Sequence, residues 1–62
     1  MRKEEIYSLD NKIITEDEYD SLESNEYVTS IDCLGISSQY TSCNWYSVEL
    51  INNDSINVFL KR

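Results

Sequence analysis

The sequence predicts an α+β fold, in which a small antiparallel sheet of three to four strands packs with one short acidic helix. The helix is expected over about residues 16–23, because Thr15 and Glu18 have the spacing of a capping box. The sheet is indicated by a C-terminal β-hairpin. Its two strands are expected at about 43–51 and 55–60, on either side of a run of turn-forming residues.

The N-terminal region is predicted to be extended. Residues 4–9 suit a short strand with Ile6 or Tyr7 facing inward. Residues 10–12 suit a turn, because Asp and Asn tolerate turn geometry, and residues 13–14 suit a second short extended piece. A chain of 62 residues is expected to form a single small domain.

The predicted helix has a narrow apolar side. Tyr19 and Leu22 are spaced i and i+3, so they lie on the same side of the helix. Ile14 precedes the capping residue and is placed to pack against Tyr19 as a hydrophobic staple. At the other end, Asn25 is a candidate for a left-handed cap.

A further strand is expected at residues 27–34, which are rich in β-forming residues. A polar connection, residues 35–42, then leads to the hairpin. Strict alternation of side chains predicts the two faces of this strand. One face would carry Tyr27, Thr29, Ile31 and Cys33, and the other would carry Val28, Ser30, Asp32 and Leu34.

The hairpin register is predicted from its apolar residues and its turn. A three-residue loop, Asn52-Asn53-Asp54, would end in a left-handed residue and bring six apolar side chains onto one face. The expected opposite pairs are Leu50 with Ile56, Val48 with Val58, and Tyr46 with Leu60.

The same register places two large aromatic residues on the other face of the hairpin. Phe59 would lie opposite Ser47 and Trp45 opposite Lys61, which makes Trp45 and Phe59 diagonal neighbours. These two rings need a cover. It would come from the N-terminal segment, the 35–42 connection, a second copy of the chain or a partner.

The composition excludes most kinds of active site. The chain contains no His, so it lacks the commonest general base and metal ligand. Its single glycine, Gly35, cannot build a phosphate-binding glycine loop, and two cysteines are too few for a structural zinc site. We therefore expect a protein that is not an enzyme and that binds no metal or cofactor.

The net charge of −7 argues against direct binding to nucleic acid or to an anionic membrane, both of which require a basic surface. The N-terminal residues lack the apolar segment of a signal peptide, and no stretch approaches about 20 apolar residues. We expect a cytoplasmic protein in which Cys33 and Cys43 are free thiols. Their positions at the two ends of a connection would also allow a disulfide.

Acidic residues concentrate in and just after the predicted helix. Six carboxylates fall within residues 16–26, and no Lys or Arg occurs between Lys12 and Lys61. The helix dipole favours acids near the N-terminus, and acids also aid solubility. These effects account well for the acids of the first turn and less well for Asp20 and Glu23, because like charges at i, i+4 destabilise a helix. The alternative is a surface for a basic partner, with Glu16, Asp17, Asp20, Glu23 and Glu26 as the candidate residues.

Three aromatic residues, Tyr40, Trp45 and Phe59, are candidate anchors at an interface, where Trp and Tyr are enriched among energetically important contacts. The alternative is that they pack in the core. The leading expectation is a small acidic protein that inhibits or modulates a larger protein by occupying a basic surface, such as a nucleic-acid-binding one.

A second interpretation is a homodimer, another homo-oligomer or a small subunit of a complex that buries the face carrying Trp45 and Phe59. In type, this small acidic chain is similar to accessory proteins of phages and mobile elements, which block host or defence proteins, some as nucleic-acid mimics. No motif carries that similarity, so the sequence assigns no family.

Overall fold

The computed structural model describes residues 2–61 and confirms the α+β class. The two helices and four strands are α1 (Lys3–Ser8), β1 (Lys12–Ile14), α2 (Glu16–Glu23), β2 (Val28–Ile36), β3 (Cys43–Leu50) and β4 (Ser55–Lys61). The strands form one sheet in the order β1-β4-β3-β2. Strand β4 therefore lies inside the sheet, between β1 and its hairpin partner β3.

The N-terminal strand predicted for residues 4–9 is wrong, because this segment forms helix α1. Ile6 is fully buried and Leu9 packs against the same core cluster, which is the i, i+3 spacing of a helix. Glu4 and Glu5 lie in the first turn, where the helix dipole favours acids. Asn11 then adopts a positive φ of 62° in the turn that leads to β1.

The sheet is mixed, whereas an antiparallel sheet was predicted. β1 pairs with β4 in parallel, and Ile13 lies beside Phe59. Asn57 fixes this pairing, because its carbonyl accepts from the Asn11 N–H at 2.7 Å and its N–H donates to Asp10 Oδ1 at 3.0 Å. The long connection that a parallel pair requires is supplied by α2 and the two strands that follow it.

Helix α2 has the predicted bounds and begins with the predicted capping box. The Thr15 N–H donates to Glu18 Oε1 at 2.9 Å, and the Glu18 N–H donates to Thr15 Oγ1 at 3.2 Å. The prediction for Asn25 is wrong, since the C-cap is Ser24 with φ −95°. Asn25 Oδ1 instead accepts from the Tyr27 N–H at 2.8 Å in the turn before β2.

Two bulges alter the predicted faces of β2. The pairing with β3 shifts between Val28 and Ser30, so Val28 lies opposite Leu50. A second shift follows Cys33. Because each extra residue reverses the alternation, Val28 shares a face with Ile31 and Cys33 and not with Ser30 and Asp32 as predicted. Strict alternation failed here because a bulge has no clear signal in the local sequence.

The hairpin has the predicted faces but a register displaced by two residues. The three-residue loop is 51–53, with Asn53 left-handed at φ 69°, and the Leu50 N–H donates to the Asp54 carbonyl at 2.8 Å. The observed opposite pairs are Val48 with Ile56, Tyr46 with Val58, Asn44 with Leu60, Trp45 with Phe59, and Ser47 with Asn57. A shift of two residues keeps every side chain on the same face, so the apolar set stays together.

Both helices pack on one face of the sheet, which we call the core face. The buried residues there come from both helices and from the sheet: Ile6, Ile14, Leu22, Val48, Leu50, Ile56 and Val58. The opposite face, which we call the outer face, carries Trp45, Ser47, Asn57 and Phe59. The core therefore lies between two helices and one side of the sheet.

Candidate partner-binding surfaces

Helix α2 is held on the core face by its apolar side. Leu22 is fully buried, and the Tyr19 ring lies 5.2 Å from the Tyr46 ring, centroid to centroid, at an interplanar angle of 59°. The rest of the helix faces solvent, because its apolar residues form only this narrow stripe. Packing through Tyr19 and Leu22 therefore turns the acidic residues outward.

The predicted acidic residues are all exposed. We call this set the acidic surface: Glu16, Asp17, Asp20, Glu23 and Glu26. Glu18 is excluded from it, since its carboxylate is occupied by the capping box. Helix α1 differs, because Arg2 and Lys3 accompany Glu4 and Glu5. The concentration of unbalanced negative charge thus belongs to α2.

The acidic residues of α2 affect the Tyr19 side chain of the same helix. Burial raises the pKa of the Tyr19 phenol above its usual value, and the Glu23 carboxylate raises it further. Smaller contributions come from Tyr46, Cys33 and Asp20. The raised pKa thus reflects both the burial of Tyr19 and its position at the inner border of the acidic surface.

On the outer face, the 37–42 loop covers Phe59. The Tyr40 and Phe59 rings meet edge to face, with centroids 4.9 Å apart, and only 5% of Phe59 is exposed. Ser37 holds the loop in place, because its buried hydroxyl oxygen accepts from the Gln39 N–H at 3.1 Å and from the Tyr40 N–H at 2.9 Å. Of the predicted anchors, Phe59 thus offers almost no accessible surface.

Trp45 lies directly opposite Phe59, whereas a diagonal placement was predicted. Its indole Nε1–H donates to Asn57 Oδ1 at 3.0 Å, and 37% of the residue is exposed. Ile13 of β1 is also exposed on this face, on the other side of Phe59. Trp45, Tyr40 and Ile13 together give the outer face a modest apolar patch.

The acidic surface and the aromatic residues lie on opposite faces of the sheet. Tyr46, which touches α2, and Trp45 are consecutive residues of β3, so their side chains point to opposite sides. From the sequence, both groups were expected to contact the same partner. The structure brings together the residues of each group but does not bring the two groups together.

The two cysteines are free and far from equivalent. Cys33 is exposed and lies opposite Tyr46, while Cys43 is buried on the outer face near the Ser37 loop. The prediction of free thiols is confirmed. A disulfide is excluded in this arrangement because the two side chains point to opposite faces of the sheet.

Sequence reasoning missed the free edge of strand β2. This strand is nine residues long and ends the sheet, and Leu34 and Ile36 are 49% and 63% exposed. The only signal available in the sequence was a β-rich segment with few charges, which does not reveal whether a strand is central or peripheral.

Within residues 2–61, no group of three or more His, Cys, Asp and Glu side chains is placed to hold a metal ion. None of the helices in this range is long and apolar enough to cross a membrane. Comparison with known proteins finds no matching family model, no matching curated protein and no matching solved structure.

Proposed function

We propose that this protein is a small acidic binding protein that inhibits or modulates a larger protein by occupying one of its basic surfaces. The observation that carries the proposal is the acidic surface, whose five exposed carboxylates lie on α2 and, for Glu26, in the turn that follows it. No Lys or Arg occurs between Lys12 and Lys61, so the segment that carries these carboxylates contains no base. A binding role needs no catalytic group.

The charge density of α2 matches what a nucleic-acid-binding surface accepts. With the capping residue Glu18 included, five acidic residues lie on this eight-residue helix of about 12 Å, or roughly one charge per 2.4 Å. Duplex DNA carries about one charge per 1.7 Å of axis, or one per 3.4 Å of each strand. A basic groove that holds a phosphate backbone could therefore hold this helix through the same electrostatic attraction.

Helix stability does not account for the whole acidic surface. The helix dipole favours Glu16 and Asp17 in the first turn. Asp20 and Glu23 lie beyond that turn, and like charges at i, i+4 cost about 0.2–0.5 kcal/mol per pair. A role in binding supplies a reason for keeping them.

In this proposal the aromatic residues are not part of the contact with the basic partner, although the sequence alone had indicated that they were. Tyr40 and Trp45 lie on the outer face, so we assign the contact with the basic partner to α2. A homo-oligomer formed through Trp45 and Phe59 has less support, because Tyr40 already covers Phe59.

The test is affinity capture from a lysate of the organism that encodes the protein, at low and at high salt. The test variant is Asp20→Asn/Glu23→Gln, and the matched control is Glu4→Gln/Glu5→Gln, which removes the same charge from α1. For the captured partner, we expect the test variant to bind about tenfold more weakly and the control to bind like wild type.

Salt provides the second measurement on the captured partner. Affinity should fall steeply as ionic strength rises, because exposed charges are screened. An affinity that does not change with salt, or that the two variants reduce equally, would contradict a role for the acidic surface.

A further inference from the structure

Strand β2 is the last strand of the sheet within residues 2–61, and its outward edge faces no other strand. Such an edge presents main-chain N–H and C=O groups that can pair with another extended chain. The strand is long for an edge and carries a single charged residue, Asp32. The question is which of its main-chain groups are free.

Two hydrogen bonds at the ends of β3 show which of its residues direct their main-chain groups to β2. At one end the Cys43 carbonyl accepts from the Ser37 N–H at 3.0 Å, and at the other the Ile51 N–H donates to the Tyr27 carbonyl at 2.9 Å. The odd-numbered residues of β3 therefore face β2, since main-chain groups alternate along a strand. The even-numbered Leu50 correspondingly bonds Asp54, on the β4 side.

The pairing of the two strands then shows which residues of β2 bond to β3. Ser30 lies opposite Glu49 and Asp32 opposite Ser47, so the main chains of Ser30 and Asp32 point to β3. Ile31 lies between these two residues, and Cys33 follows Asp32. The main chains of Ile31 and Cys33 therefore direct two N–H and two C=O groups away from the sheet. We call these groups the open edge.

The two bulges set the length of the open edge. They lie near Thr29 and Leu34, and the regular pairing between them covers Ser30 to Cys33. Bulges at both ends limit how far another strand can continue along β2, which is a common protection against aggregation. The open edge thus suits a short added strand.

The surroundings of the open edge are acidic. Asp32 and Glu49 are exposed on the outer face, and the Ser30–Glu49 and Asp32–Ser47 pairs make them diagonal neighbours. On the core face, α2 packs against β2 and carries the acidic surface. The core face of β2 itself presents Ile31, which is half-buried.

We propose that the open edge accepts an extended segment of the partner as an added β-strand, with basic side chains on the face of Asp32 and apolar side chains on the face of Ile31. The inference rests on the proposed function and names the kind of segment recognised. A second copy of the chain is a poor occupant, because each copy carries a net charge of −7.

The probe is an acetylated and amidated peptide of about seven residues that alternates lysine and valine, a length suited to strand addition. Its affinity is measured by fluorescence anisotropy, and amide hydrogen exchange is followed by NMR on the full chain. We expect the Ile31 and Cys33 N–H groups to exchange rapidly in the free protein and to become protected when the peptide binds. Ser30 and Asp32 should be protected in both states.

Two changes remove main-chain hydrogen bonds at the open edge, one in the protein and one in the peptide. Cys33→Pro deletes an outward N–H at a position where an edge strand tolerates proline, and Cys33→Thr is the matched control that keeps the N–H. We expect the proline variant to bind about tenfold more weakly and the threonine variant to bind normally. N-methylation of alternate peptide residues should weaken binding similarly. It tests the main-chain contact without changing the protein, and so replaces the proline variant if that variant does not fold.

The charge contribution is tested by Asp32→Asn, which should weaken binding of the lysine peptide by about threefold. The corresponding glutamate–valine peptide should bind far more weakly than the lysine peptide.

The outcomes separate this inference from the proposed function. Peptide binding without protection of Ile31 and Cys33, or an absence of peptide binding, overturns the open-edge proposal and leaves the capture experiment on α2 unaffected. A wild-type dimer that Cys33→Pro converts to a monomer also overturns it, since a second copy would then occupy the edge.

Discussion

Gly35 is the residue whose backbone conformation other residue types adopt least readily. Its φ is +101°, at the bulge that ends the regular part of β2. A Cβ added there would meet no atom within 4 Å, so the cost of substitution is conformational and not steric.

We expect Gly35→Ala to lower the free energy of unfolding by about 1 kcal/mol or more, because alanine is strained at this φ. Urea denaturation measures the change. Ser38→Ala, in the exposed loop nearby, is the control and should be close to neutral. Equal stability of the Gly35→Ala variant and wild type would mean that the bulge relaxes without cost.

Individual residues also show where sequence reasoning reaches its limit. Asn53 and Asp54 both tolerate a left-handed conformation, so local chemistry allows either loop. The structure uses Asn53, and Asp54 Oδ2 then accepts from the Tyr7 hydroxyl at 2.6 Å. That contact joins the hairpin to α1, and no pattern near the loop could have predicted it.

At the scale of elements, α2 was predictable because its signals are local. The capping box, the N-terminal acids and the Tyr19–Leu22 stripe all lie within a few residues of one another. Helix α1 has no side-chain N-cap hydrogen bond, and its six residues hold only one buried side chain, Ile6. Such a short segment takes its conformation from tertiary packing, which local propensity does not report.

Thr15→Ala should lower the free energy of unfolding by about 1 kcal/mol, since it removes the side-chain half of the capping box. Thr15→Ser keeps the hydroxyl and should lose much less. Thermal and urea denaturation, with far-ultraviolet circular dichroism as the signal, compare the three proteins. If serine and alanine are equally destabilising, the loss comes from the threonine methyl group and not from the cap.

At the scale of the whole molecule, the candidate site was predictable in part. The residues of the acidic surface are close in sequence, on one short helix and the turn after it, so their common exposure followed from the pattern. Their separation from Trp45 and Tyr40 did not follow, because it depends on which face of the sheet receives α2. The open edge of β2 likewise depends on strand order, which non-local pairing determines.

The central position of β4 also has a kinetic consequence. The β3–β4 pair closes over a three-residue loop, whereas β1 reaches its partner only from Lys12 to Val58. Pairing that spans a long stretch of chain is slow, because the entropy of loop closure must be overcome first. We therefore expect the hairpin to form in the folding transition state and β1 to join afterwards.

Two matched substitutions test this order, Ile56→Val in the hairpin and Ile14→Val in β1, both at buried positions and each costing about 0.5–1.5 kcal/mol. Stopped-flow kinetics should show that Ile56→Val mainly slows folding and that Ile14→Val mainly speeds unfolding. The reverse assignment would place β1 in the nucleus. On the expected order, the hairpin determines how fast the protein folds, and the N-terminal segment determines how long each molecule stays folded.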